Sequence, residues 1–182
     1  MMQWVSTISE ARSMQDAIDA IEARLRANLK ENIGLAILFV SPYFQNDYDK
    51  LVKQVYNQLG CAVLVGCSAG GIIGEGREVE RRPAIGVLAG ALPGVDVQPF
   101  HLDQSDLPDL DDSPTKWKSC FGTTTAELPH FVILADPYTL DVERGLQGLD
   151  YAYPHSVKVG GLASGGEGTG QTALFMNGNR YR

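Results

Sequence analysis

The chain has 182 residues, 44% hydrophobic and 20% charged, which suits a globular domain able to bury a core without disulfides or metals. Its formal net charge of −7 argues against nucleic acid as a partner, because phosphate recognition needs a concentrated basic surface. Three cysteines with no C-x-x-C pair, no apolar run near the ~20 residues of a membrane span, and an N-terminus without a signal-peptide pattern lead us to expect a reduced, cytoplasmic protein with no membrane partner.

Along the chain, Gln3–Ser9 is predicted as a strand. Ser13 with Asp16 three residues on approximates a capping box. Met14, Ile18, Ile21, Leu25 and Leu29 then form one helical face that Asn32 and Gly34 end. The continuous apolar run Leu35–Val40 reads as a buried strand stopped by Ser41-Pro42. Asp47 opens a second helix through Leu51, Val52, Val55 and Leu59, closed by Gly60, and Ala62–Val65 is the next strand. This is a βαβ unit with parallel strands and a right-handed crossover.

Glu78–Leu92 and Val95–Leu102 are predicted as two antiparallel strands joined at Pro93-Gly94. Arg77, Arg81 and Arg82, interrupted by Glu78 and Glu80, read as solvated strand charges. Residues Asp103–Pro114 carry five aspartates, but their spacing fits no EF-hand, so a solvated loop is expected. A short helix follows around Thr115–Phe121. Phe131–Leu134 is a strand, and Asp141 caps a helix through Val142, Leu146 and Leu149, weakened by Gly145 and Gly148 and ended by Tyr153-Pro154. Val157–Val159 and Ala173–Met176 are the last predicted strands.

The second half echoes the middle. LFVSPY at Leu38–Tyr43 resembles ILADPY at Ile133–Tyr138, and VLVGCSAGG at Val63–Gly71 resembles VKVGGLASGG at Val157–Gly166. The fold class expected is therefore α/β: mixed parallel and antiparallel sheet or sheets with flanking helices, built from pseudo-duplicated β-α-β-β units at about 35–92 and 130–178, with a layered sandwich as one arrangement of them.

Both glycine segments follow strands, where ligands gather in α/β folds. Consecutive glycines allow close backbone approach, and exposed N–H groups can cradle a carboxylate or phosphate. The candidate ligand-binding residues are Gly66, Cys67, Ser68, Ala69, Gly70 and Gly71 in the first segment, and Gly160, Gly161, Ser164, Gly165 and Gly166 in the second. Asp136, at the end of a buried strand, joins them as a partner for a ligand amine or hydroxyl. Neither segment has the P-loop signature.

Four other readings stay open. G-C-S-A-G matches the G-x-S-x-G elbow, with Asp136 and His155 following in triad order, but no helical pattern follows Ser68. Cys67 could be a nucleophile with His155 or His130 as base. His101, His130 and His155 show no metal-ligand spacing, although one histidine suffices as an axial haem ligand. A protein-interaction scaffold is the remaining alternative.

AILFVSPY, GCSAGGIIGEGREVE, LAGALPGVDVQPFHL, FVILADPYT and VGGLASGG together resemble the FIST N domain, from about Leu35 to the C-terminus. The resemblance implies a non-catalytic sensory domain of bacterial signal transduction or of F-box proteins, binding a small ligand such as an amino acid. Some members of the family resemble haem-binding gas sensors. It also implies a following FIST C domain and a downstream signalling partner. The sequence stops at Asn179-Arg180-Tyr181-Arg182 without a FIST C portion, so the expectation is one domain over 1–182 that holds one wall of a shared pocket.

Overall fold

The computed structural model describes residues 1–122 and 128–181. The chain divides into two compact units, Met1–Pro99 with Ala163–Arg182, and Phe100–Leu162.

The first unit is built on a six-stranded sheet ordered β1-β6-β2-β3-β9-β10. Its strands are β1 (Gln3–Ser9), β2 (Leu35–Val40), β3 (Val63–Ser68), β6 (Ile85–Ala91), β9 (Leu174–Met176) and β10 (Asn179–Tyr181). The central pair β2–β3 is parallel and every other pairing in the sheet is antiparallel. Helices α1 (Met14–Asn28) and α2 (Tyr48–Leu59) pack on one face, where Ile18, Ile21 and Leu25 meet Leu38, Leu64, Leu51, Val52 and Phe175 in one core. The capping expectation holds, since the Ser13 hydroxyl accepts from the Asp16 N–H. Helix α1 ends at Asn28 rather than at Asn32, yet Leu29 stays in the core. A 3-10 turn over Pro42–Asp47 precedes α2, and Gly60 closes it in the left-handed region, with φ 60°.

Two expectations fail here. Residues 95–102 form no strand, because β1 and β2 already occupy both edges of β6. And 78–92 is not one strand: β4 (Gly71–Gly74) and β5 (Arg77–Glu80) form a hairpin, followed separately by β6. Glu75 and Gly76 both have positive φ, the geometry of a two-residue hairpin turn. The hairpin buries Ile72 and Val79 against Ile8, Ala69 and Ala84, on the sheet face opposite the helices. Its charges pair with Glu10, which meets Arg77 and Arg82.

The second unit holds a two-stranded parallel sheet, β7 (Phe131–Ala135) with β8 (Lys158–Leu162), and helices α3 (Pro114–Cys120) and α4 (Val142–Ala152). Trp117, Phe131, Leu149, Ala152 and Tyr153 form its core. Gly148, read from sequence as a weakness, has a packing reason: a Cβ there would overlap the Trp117 ring. The aspartates of 103–114 act locally. Asp106 accepts from the Asp103 N–H, Asp112 accepts from the Asp109 N–H, and Arg144 donates to the Pro108 carbonyl and Asp109 carboxylate. Among the described residues no group of three or more His, Cys, Asp or Glu is placed to hold a metal, and no helix is long and apolar enough to cross a membrane. The architecture is mixed α/β with flanking helices.

Candidate functional site

Gly66, Cys67 and Ser68 are not a loop. They are the last residues of β3, just as Gly160 and Gly161 lie within β8. Glycine permits this because both strands approach their parallel neighbour closely. A Cβ at Gly66 would overlap the Leu38 carbonyl oxygen, and one at Gly160 would overlap that of Ile133.

Ser68 is 1% exposed and fixed on every side. Its N–H donates to the Ala173 carbonyl at 2.9 Å, its hydroxyl accepts from the Ala173 N–H at 3.1 Å, and its carbonyl accepts from the Ser164 N–H at 3.0 Å. The β4–β5 hairpin follows Ser68 where an elbow would need a helix, so the helix-terminal oxyanion donor of that reading is not formed. Cys67 is 2% exposed, and burial pushes its thiol up to about 12, far from the depressed value a thiolate nucleophile needs.

The two glycine segments do meet within the first unit. The Gly70 N–H donates to the Ser164 hydroxyl at 3.1 Å, and the Ala69 N–H donates to the Val40 carbonyl at 3.0 Å. Gly165, at φ 89°, lies so close to Pro42 that a Cβ would overlap its ring, and that Cβ would stand 3.3 Å from the Gly70 nitrogen. Three corners therefore converge: Ser41-Pro42 after β2, Ala69-Gly70 after β3, and Ser164-Gly165. The N–H groups of Ser68, Ala69 and Gly70 all have partners inside the protein, so the first segment offers no row of open donors. What faces outward is the edge made by Gly70, Gly71, Ser164 and Gly165, with Gly166 half-buried. The Ser164 hydroxyl, accepting from Gly70, keeps its own O–H to donate.

Asp136, Gly160 and Gly161 belong to the second unit. Asp136 is 1% exposed at the end of β7. Its Oδ1 accepts from the Tyr138 N–H at 2.9 Å and its carbonyl from the Leu140 N–H at 3.2 Å, which folds the Pro137 corner. Its Oδ2 is buried with no hydrogen-bond partner among the described residues. None of the three imidazoles is buried. His130 and His155 are exposed, and the His130 Nδ1 accepts from the Val157 N–H at 3.1 Å, so neither sits in the apolar slot an axial haem ligand requires.

Sequence reasoning missed Arg180 and Tyr48. Arg180, on β10, stacks over the Tyr48 ring at 5.4 Å and reaches Asp49 at 3.4 Å. Burial pushes the Tyr48 phenol up to about 12, opposed by the Arg180 charge and the Ser68 hydroxyl. Nothing local in the sequence marks this pair, because β10 is a three-residue strand beyond the last apolar run. A shallow depression on α2, lined by Lys50, Lys53, Gln54, Asn57 and Gln58, includes no glycine-segment residue.

Residues 34–182 match the family model of the FIST N domain. This chain belongs to the FIST N domain family. The family is one of sensory domains in signal transduction. The matched region begins just before β2, so β1 and α1 precede it yet share the sheet and core of the first unit. An uncharacterised protein of Mycobacterium tuberculosis is 28% identical over 171 residues, covering 93% of this chain and 43% of its own length. An uncharacterised protein of Mycobacterium bovis is 28% identical over 173 residues, covering 95% of this chain and 42% of its own. The chain thus spans under half the length of these curated relatives. No solved structure matches it.

Proposed function

We propose that this FIST N domain is a non-catalytic receptor for a small polar molecule, an amino acid or a compound of similar size, acting in cytoplasmic signal transduction. One observation carries the reading: the Asp136 Oδ2, buried and lacking a donor among the described residues. A buried acceptor left unpaired costs about 1–3 kcal/mol, which a ligand amine or hydroxyl would recover. The oxygen stands beside the Pro137-Tyr138 corner, whose residues are exposed, and movement of that corner admits the ligand. Such a movement also gives the sensor two states for a ligand to bias.

In the first unit, taken by itself, the outward edge of Gly70, Gly71, Ser164 and Gly165 offers polar backbone and a hydroxyl suited to a carboxylate or a hydroxyl group. The similarity of the two βαβ stretches, each with a Pro corner after its first strand and a glycine pairing at the same register, supports an internal duplication. A FIST C domain and a downstream signalling protein are the proposed partners.

The test is a thermal-shift panel of the proteinogenic amino acids and small hydroxy acids. A true ligand at a hundredfold its Kd adds about 2.7 kcal/mol of stability. That gain should vanish in Asp136→Asn. If no compound stabilises either this chain or a full-length relative, the reading fails.

A further inference from the structure

The β7–β8 pair is built like the centre of a sheet, but among the described residues no further strand pairs with it. Parallel strands are ordinarily covered on both faces, and two strands alone are marginal. Here Phe131 turns one face into the Trp117, Leu149 and Tyr153 core. The other face shows Val132 at 43%, Val157 at 56% and Val159 at 56% exposed, with Val132 and Val159 directly paired across the strands.

Among the described residues no strand pairs with the outer edge of β8 either. The Phe131 N–H donates to the Val157 carbonyl at 2.9 Å. In a parallel ladder this directs the backbone groups of Val157 and Val159 toward β7, and those of Lys158, Gly160 and Leu162 away from it. Edge strands are commonly guarded by an outward lysine. Lys158 does not serve so, because its ammonium is held by Asp150 at 2.7 Å and by the Tyr153 carbonyl at 2.5 Å.

The first unit shows how such a pair is finished. There Gly66 pairs with Leu38 as Gly160 pairs with Ile133. Strand β9 then lies antiparallel on β3, with Val65 opposite Met176, Gly66 opposite Phe175 and Cys67 opposite Leu174. In the curated relatives more than half of the polypeptide lies outside the matched region.

We propose that the free edge of β8 accepts an antiparallel strand from that additional polypeptide, seated opposite Val159, Gly160 and Gly161, with a large apolar residue facing Gly160 as Phe175 faces Gly66. The inference rests on the equivalence of the two βαβ stretches and not on ligand binding, so either can fail without the other.

Hydrogen exchange read by mass spectrometry tests it. In this chain alone, peptides over Val157–Leu162 should exchange at least about tenfold faster than those over Val63–Ser68. In the full-length Mycobacterium tuberculosis relative, the strand aligned with β8 should be as protected as the one aligned with β3. Fast exchange of that strand in the full-length relative overturns the proposal. Protection that appears in this chain alone as its concentration rises, with a dimer mass by light scattering, assigns the edge to a second copy and overturns it equally.

Discussion

The parallel pair β2–β3 lies in the middle of six strands, whereas β7–β8 is a two-stranded sheet. Both pairs carry a helix between their strands, a proline corner after the first strand, and a glycine whose missing Cβ lets the partner carbonyl approach. Yet Leu38 and Leu64 are fully buried, while Val157, Val159 and Leu162 are more than half exposed. Similar local sequence gives the same local pairing in both. Burial then depends on which other strands arrive: in the first unit β6 flanks β2, with β1 beyond it, and β9 comes from far along the chain to flank β3.

Glycine substitution should separate the two settings most strongly. Gly66→Ala must displace a strand locked on both sides, and we expect a loss of roughly 3 kcal/mol in urea unfolding. Gly160→Ala meets the same kind of overlap at a strand with a free edge, which can shift outward, so roughly 1 kcal/mol is expected. Equal losses would mean that β8 is held as firmly as β3.

Ser68→Ala comes next. It removes the acceptor for the Ala173 N–H inside the sheet and should cost about 1–2 kcal/mol. An acyl-serine reagent should leave the wild-type protein unlabelled. Labelling at Ser68 would revive the hydrolase reading.

Alkaline pH should weaken the first unit in particular. Burial pushes the Cys67 thiol up to about 12 and the Cys61 thiol up to about 11. As pH rises past the ordinary thiol value of about 8.5, the unfolded chain releases protons that the folded chain keeps, so stability falls between there and pH 11. The urea midpoint should drop between pH 8 and pH 10, and less so in Cys67→Ala. With a thiol reagent at pH 8, the partly exposed Cys120 should react before Cys61 or Cys67. The smallest effect is expected at Val159→Ala, within about 0.5 kcal/mol, because that side chain is mostly in water.

Much of the local structure was legible in the sequence. Helical spacing placed α1, α2 and α4, continuous apolar runs placed β2 and β7, and Ser13, Gly60 and Asp141 marked helix ends through capping chemistry. The misreadings share a cause. Glycine in Gly66–Ser68 and Gly160–Gly161 looks like loop, because one sequence does not show the carbonyl that a glycine must admit. The strand expected at 95–102 failed because the choice of partner for β6 is a long-range matter, settled by the N-terminal β1. Of the candidate site, the glycine-rich spacing singled out Gly70, Ser164 and Gly165, and these three lie together in the first unit. The internal pairing of the Ser68–Gly70 N–H groups, and the Arg180–Tyr48 stack, depend on strands too short or too distant to announce themselves.

The most direct measurement is an NMR titration of the 13C,15N-labelled chain with the amino-acid panel, read at the Asp136 carboxylate carbon and the Tyr138 amide. We predict saturable shifts of both signals with at least one compound, absent in Asp136→Asn. No shift at either signal with any compound, in this chain and in a full-length relative, would contradict the receptor reading.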